Sequence, residues 1–166
     1  MPDTVSFDVT STIDFAEVDN ALNQARKEVG QRYDFKGARA DIELNAAEKK
    51  LTLTADDEFK MNALWEIVQT RMVRRGVPVK NFKDTDSEPA AGGTVRRVID
   101  IQQGIPIEAA REIVKFIKEK KMKKVQASIQ ADQVRVSSPS KDELQEAMAA
   151  LRDHDFGVAL QFGNYR

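Results

Sequence analysis

The residues of this 166-residue chain that could do chemistry are cations, amides and one short run of mixed aromatics and charges. The densest stretch is 115–136, KFIKEKKMKKVQASIQADQVRV. In it Lys115, Lys118, Lys120, Lys121, Lys123, Lys124 and Arg135 face only Glu119 and Asp132, a local excess of five positive charges. The whole chain carries a net charge of −1, so the rest is acidic and this stretch is an anion-seeking face. Ammonium groups crowded at one helix end can neutralise phosphates, which gives affinity that falls with salt. The competing reading is a solvated helix end whose lysines complement the dipole. Lys115, Lys118, Lys121 and Lys124 are the candidate phosphate contacts. Gln126, Gln130 and Arg135, which follow them, offer donors and acceptors for base edges.

A second candidate is 32–37, RYDFKG, where two aromatics alternate with two cations before a glycine. A purine could stack on Phe35 or Tyr33 while Arg32 and Lys36 hold phosphate. The same hexapeptide could instead be a structural anchor, with Phe35 buried and Asp34 paired to a neighbouring cation. A third candidate is the C-terminal QFGNYR, where Gln161, Asn164 and Arg166 could touch a ligand and Phe162 reads as core. Arg96 and Arg97 open a later strand, and one of them could face a cleft.

Signals for catalysis are poor. The chain has no cysteine and one histidine, His154, set in RDHDFG and read as a surface residue. There is no Walker loop, no G-x-G-x-x-G and no zinc-ligand spacing. Asp56-Asp57 and Asp84/Asp86 read as helix-start and linker charges rather than a metal site. No enzyme activity, cofactor or metal is expected. Lack of cysteine suits a reducing cytoplasm, the N-terminus has no signal-like pattern, and no run approaches the ~18 apolar residues of a membrane span.

These residues must be positioned by elements that the patterning outlines. Val5, Phe7 and Val9 alternate with polar neighbours, as in a half-buried strand. Asp14 and Glu17 start a helix to about Gly30. A hairpin pairs 42–44 with 51–55, and a second helix spans about 57–75, ending at Gly76. Residues 83–93, KDTDSEPAAGG, have the composition of a flexible linker or long loop. A strand at 94–101, a helix opened by Pro106, a hairpin across Ala131-Asp132, a Ser140-capped helix and a closing strand through Val158, Leu160 and Phe162 complete the order. The α-β-β-α plan occurs twice, so the chain looks duplicated. With one strand ahead of each block, each half becomes β-α-β-β-α-β, a four-stranded antiparallel sheet with two helices on one face.

SFDV, RYDFKG, KVQASIQADQVRV, SKDELQ and QFGNYR, in this order along the whole chain, resemble the YajQ family. The resemblance implies a cytosolic nucleotide-binding protein of α+β class, with two ferredoxin-like domains and no established catalysis. It implies GTP, cyclic di-GMP or nucleic acid, RNA included, as ligand. It also implies exchanged leading strands, giving an N-terminal domain of 13–101, with linker 83–93 and strand 94–101, and a C-terminal domain of 1–12 plus 102–166. The free face of the second sheet would then carry Ser6, Asp8, Gln126, Ser128, Gln130, Gln133, Arg135, Ser137 and Gln161. It lacks the aromatics that RNA-recognition domains display on their central strands, which here read LTLTA and QVRVS. Contacts to single-stranded nucleic acid would rest on charge and hydrogen bonds. The expectation is a non-enzymatic nucleotide or nucleic-acid binder, which could serve as a cyclic di-GMP-responsive regulator and has no membrane role. The alternative is an adaptor whose open sheets take a protein partner.

Overall fold

The computed structural model describes residues 4–122 and 124–166. In chain order the elements are β1 (Val5–Thr10), α1 (Phe15–Gln31), β2 (Ala40–Asn45), β3 (Lys50–Ala55), α2 (Glu58–Arg74), β4 (Phe82–Lys83), β5 (Glu88–Pro89), β6 (Val95–Ile101), α3 (Ile107–Glu119), β7 (Gln126–Gln130), β8 (Gln133–Ser138), α4 (Lys141–Arg152) and β9 (Gln161–Gly163). The chain is α+β and divides into two compact units, one of Ile13–Gln102 and one of the residues up to Thr12 with Gln103–Arg166. No helix among the described residues is long and apolar enough to cross a membrane.

The 13–102 unit has the antiparallel sheet β2-β3-β6-β4, with β5 added to β6. The other has β7-β8-β1-β9. Both place the strand that leads the β-α-β-β-α-β plan between the third and fourth strands, which is the ferredoxin-like order. The leading strands are exchanged: β1 pairs β8 and β9, and β6 pairs β3 and β4.

Local signals act where the patterning puts them. The Asp14 carboxylate accepts from the Ala16 and Glu17 amides at the start of α1, and Ser140 Oγ accepts from the Glu143 amide at the start of α4. Asp57 caps α2 through the Lys60 amide at 2.7 Å. Gly76, at φ +74°, follows α2 in the left-handed conformation that ends helices. The inward alternation packs Leu51, Leu53, Ile99 and Ile101 against α1 and α2 around Trp65. In the other unit Phe7, Val9, Val134 and Val136 pack on Ile113, Ile117, Leu144 and Leu151.

One expectation is corrected. Segment 83–93 is ordered: Glu88 and Pro89 pair with Arg96 and Val95, and a single 3₁₀ turn follows at Ala91–Gly93. Its anchor is Arg97, which stands in the inward register beside Val95 and Ile99 and is 5% exposed. Its guanidinium donates to Ser87 and Asp84 in the segment (3.3 and 3.2 Å) and to Glu58 and Asn62 at the start of α2 (2.7 and 3.1 Å). Ile129 lies in the inward register but is 37% exposed. It sits near the end of the edge strand β7, where only one neighbouring strand covers it.

Candidate functional site: the open face of the β7-β8-β1-β9 sheet

Strand register decides what the open face shows, because directly opposed residues share a face. Gln126 faces Ser137, which faces Ser6. Beyond Ser6 stands Arg166, whose amide donates to the Ser6 carbonyl while its own carbonyl accepts the Ser6 amide (3.1 and 3.2 Å). The next row is Ser128, Arg135, Asp8 and Gly163. The last contains Gln130 opposite Gln133 and Thr10 opposite Gln161. Between Gly163, opposite Asp8, and Arg166, opposite Ser6, the C-terminal strand carries one residue more than β1. That extra residue makes a β-bulge, with Asn164 in the left-handed region at φ +53°.

The bulge turns the Asn164 side chain back over the sheet, where Nδ2 donates to Asp8 Oδ2 at 2.6 Å. Arg135 Nε donates to Asp8 Oδ1 at 3.0 Å. Asp8 is thus a carboxylate in the middle of the sheet, 6% exposed, with one donor on each oxygen. Arg135 and then Asn164, by hydrogen bonds to the carboxylate, hold its pKa below the usual value against the opposing effect of burial; the charge of Arg166 adds to the lowering. The Arg135 side chain remains 36% exposed. Its Nη1 and Nη2 have no partner among the described residues.

One end of this face is basic. The connection carrying Lys121 and Lys124 enters the sheet at Gln126, in the same row as Arg166. Lys118, Lys121 and Lys124 are exposed and form no ion pair among the described residues. Lys115 is also exposed but lies 3.9 Å from Glu119. Lys120 covers the Phe116 ring at 5.0 Å, and His154 sits between Phe116 and Phe156 with ring centroids 4.8 and 4.5 Å away. Lys123 lies outside the described residues. The far end of the face is neutral, with Gln130, Gln133, Thr10 and Gln161.

Not every expected contact is available. Gln161 is committed within the fold: its carbonyl oxygen accepts from the Thr12 amide at 3.1 Å, and its Nε2 donates to the Thr12 carbonyl at 3.0 Å. It clamps the end of β1. Gln130 donates to Ser128 at 3.3 Å, and Gln126 is exposed. Phe162 packs edge-on to Phe7 at 5.7 Å, as a core residue does.

Arg32, Phe35 and Lys36 belong to the other unit. Phe35 is 4% exposed and packs in the core, so it presents no free ring for a purine; the exposed aromatic is Tyr33. Arg32 grips Asp34 through Nε and Nη2 (2.9 and 2.7 Å), and both Arg32 and Lys60 lie over the Phe35 ring. Arg32 thereby lowers the Asp34 pKa. Lys60 Nζ also donates to the Asp34 carbonyl. The anchoring arrangement is the one present. A hollow of about 480 Å³ beside it, bounded by Tyr33, Lys36 and Gly37 among others, leaves Lys36 exposed.

Sequence reasoning placed Asp8 on the open face but gave it no role. Two signals pointed to one: an acid in a polar strand register that also carries an arginine, and a Gly-Asn pair at the end of a strand. Among the described residues no cluster of three or more potential metal ligands occurs.

Known proteins resemble the chain over its full length. It is 49% identical to a nucleotide-binding protein of Solibacter usitatus over 166 residues, covering 100% of this chain and 99% of the relative. It is 46% identical to one from Chloroherpeton thalassium and 45% identical to one from Carboxydothermus hydrogenoformans, each over the full length of both chains. Residues 5–166 match the family described as nucleotide-binding protein YajQ-like, and the chain belongs to that family.

Proposed function

We propose that this protein is a non-enzymatic binder of nucleotides or single-stranded nucleic acid in the cytoplasm, and that the open face of the β7-β8-β1-β9 sheet is its site. The observation that carries this is the polarity of the face. Exposed lysines and Arg166 gather at one end, a tethered arginine stands in the middle, and neutral amides and hydroxyls fill the other end. Phosphates suit the basic end, and bases and sugars suit the amides and hydroxyls. The names of the relatives agree with nucleotide binding. GTP and cyclic di-GMP are the small ligands this reading admits, the latter as a regulatory signal, and short RNA the polymeric one.

The test is a titration with GTP, cyclic di-GMP and an unstructured short RNA at several salt concentrations. Lys118, Lys121 and Lys124 changed together to glutamate should abolish binding driven by phosphate. Changed to glutamine instead, they should flatten the log–log salt dependence for RNA by about 2, near 0.7 for each phosphate no longer neutralised. Tight, salt-tolerant saturation by one small nucleotide would identify a ligand sensor. If nothing binds at low salt, the reading fails and the face is better assigned to a protein partner.

A further inference from the structure

We infer that Arg135 is the stacking platform for a nucleobase on this face, replacing the aromatic residues that the sheet lacks. The inference rests on the site proposed above and adds the group that distinguishes a base from a bare phosphate. Three features of the structure carry it.

Arg135 is tethered at one point only. Its Nε donates to Asp8 directly across the sheet, and Asp8 is itself held from the other side by Asn164. An arginine bound through Nε to the opposed residue lies across the sheet instead of extending into solvent. Its rotamer freedom is spent in the fold, so a ligand does not have to order it. Nη1 and Nη2 keep their hydrogen-bonding capacity among the described residues, and over a third of the side chain is open. A planar guanidinium presented in this way stacks on a base through its face and can donate to phosphate or base acceptors through its edge.

The positions beside Arg135 and next to it toward the basic end are small. Ser128 flanks it in its own row, Ser137 and Ser6 occupy the row toward the basic end, and Gly163 closes the row on the far side of Asp8. The two long side chains of the row toward the basic end, Gln126 and Arg166, stand on the outer strands, and the positions between them leave space above the guanidinium.

The basic end lies at a matching distance. Arg166 stands one row from Arg135, about 7 Å along the strands, and two strands away, about 10 Å across. A base over Arg135 therefore leaves its phosphate near Arg166 or the Lys121–Lys124 connection. A phosphate alone would be drawn to that end and would have no need of the centre.

The experiment uses the full chain, with GTP, an unstructured six-nucleotide RNA and inorganic tripolyphosphate as the base-free control. Arg135→Lys retains the charge and removes the plane. The expected result is a loss of about tenfold or more in affinity for the base-bearing ligand, the size expected for losing one stacked base, with tripolyphosphate binding unchanged. Comparable losses for GTP and RNA would mean that a mononucleotide fills the platform; a loss for RNA alone would mean that a strand does. A loss that is equal for tripolyphosphate overturns the inference, because Arg135 is then a phosphate contact. Unchanged binding of every ligand overturns it while leaving the proposed function standing. If the wild type binds none of the three, both are overturned. Should the variant fold poorly, the wild-type protein decides the matter by NMR. The Arg135 Nε–H resonance should show a ring-current shift on adding the base-bearing ligand and none with tripolyphosphate; no shift at saturation overturns the platform.

Discussion

Asp8→Asn tests the centre of the site without involving a ligand. The substitution keeps the shape of the side chain and removes its charge. It also replaces one acceptor oxygen with an amide that meets a donor, either Arg135 Nε or Asn164 Nδ2, head-on. Hydrogen bonds to a charged group contribute about 1.5 to 3 kcal/mol each, and Asp8 makes two, at 3.0 and 2.6 Å. Arg135 is partly exposed, so water can take over from the lost acceptor, and the low end of that range applies to it. The expected destabilisation at pH 7 is therefore about 2 kcal/mol. With a urea m-value of about 1 to 2 kcal/mol per molar, the unfolding midpoint falls by about 1 to 2 M. The pH dependence gives the sharper check. Asp8 has a lowered pKa in the fold, first through Arg135 and then through Asn164. Its contribution is thus fully present above the unfolded value of about 3.9 and is lost as pH falls through the folded value. Urea curves followed by far-UV circular dichroism should show the gap between wild type and Asp8→Asn at pH 7 narrowing below about pH 4. A gap of the same size at pH 3, or one under about 0.5 kcal/mol at pH 7, would refute the role given to this carboxylate.

Other parts of the fold can be perturbed in the same spirit. Arg97→Ala should destabilise the 13–102 unit by about 2 kcal/mol, since the partners Glu58 and Asp84 are more than half exposed and recover water. It should also speed proteolytic nicking within 84–93; unchanged nicking would show that the segment is held by β5 alone. Gly104→Ala should cost about 2 kcal/mol or more, because Gly104 has φ +85° and a Cβ there would collide with the Asp132 side chain. A thermal melt indistinguishable from wild type would mean that the loop shifts freely. A chain nicked at an engineered protease site near Ala90 should still elute as one species in gel filtration, because β1 and β6 each complete a sheet built mainly from the other fragment. Two separable folded pieces would overturn the strand exchange.

Local patterning made much of the fold legible. Period-2 alternation identified Phe7, Val9, Val134 and Val136 as inward, and side chains two or three residues away from their targets identified the caps at Asp14 and Ser140. Partnerships made at long range were not legible. Segment 83–93 has the composition of a flexible linker, yet it is fixed by Arg97, whose place in an apolar register looks like an interruption until Glu58 and Asn62 arrive from α2. Asp8 and Arg135 lie 127 positions apart, and only the register of β1 against β8 makes them neighbours. Phe35 shows the same limit in another form. A hexapeptide that mixes rings and cations suits a base platform and a buried anchor equally well, and the packing of α1 and α2 selects the anchor. The lysines were legible as charge. Their place at the same end of the sheet as Arg166 follows from strand order and direction, and the bulge at Asn164 brings Arg166 into register with Ser6; composition reveals neither.

The exchanged strand also limits how the site can respond to a ligand. β1 lies between β8 and β9, opposed to five residues of one and three of the other, and it buries Phe7 and Val9 completely. Withdrawing it would expose two side chains at about 2 kcal/mol each and break several backbone hydrogen bonds at about 1 kcal/mol each, on the order of 10 kcal/mol in all. A ligand present at a hundred times its dissociation constant shifts an equilibrium by only about 2.7 kcal/mol. Ligand binding on this face therefore cannot release β1. A ligand held on Arg135 would reinforce β1, because the Asp8 that holds Arg135 in place belongs to that strand. The centre of the face is preformed, and a ligand-dependent change must be sought outside β1.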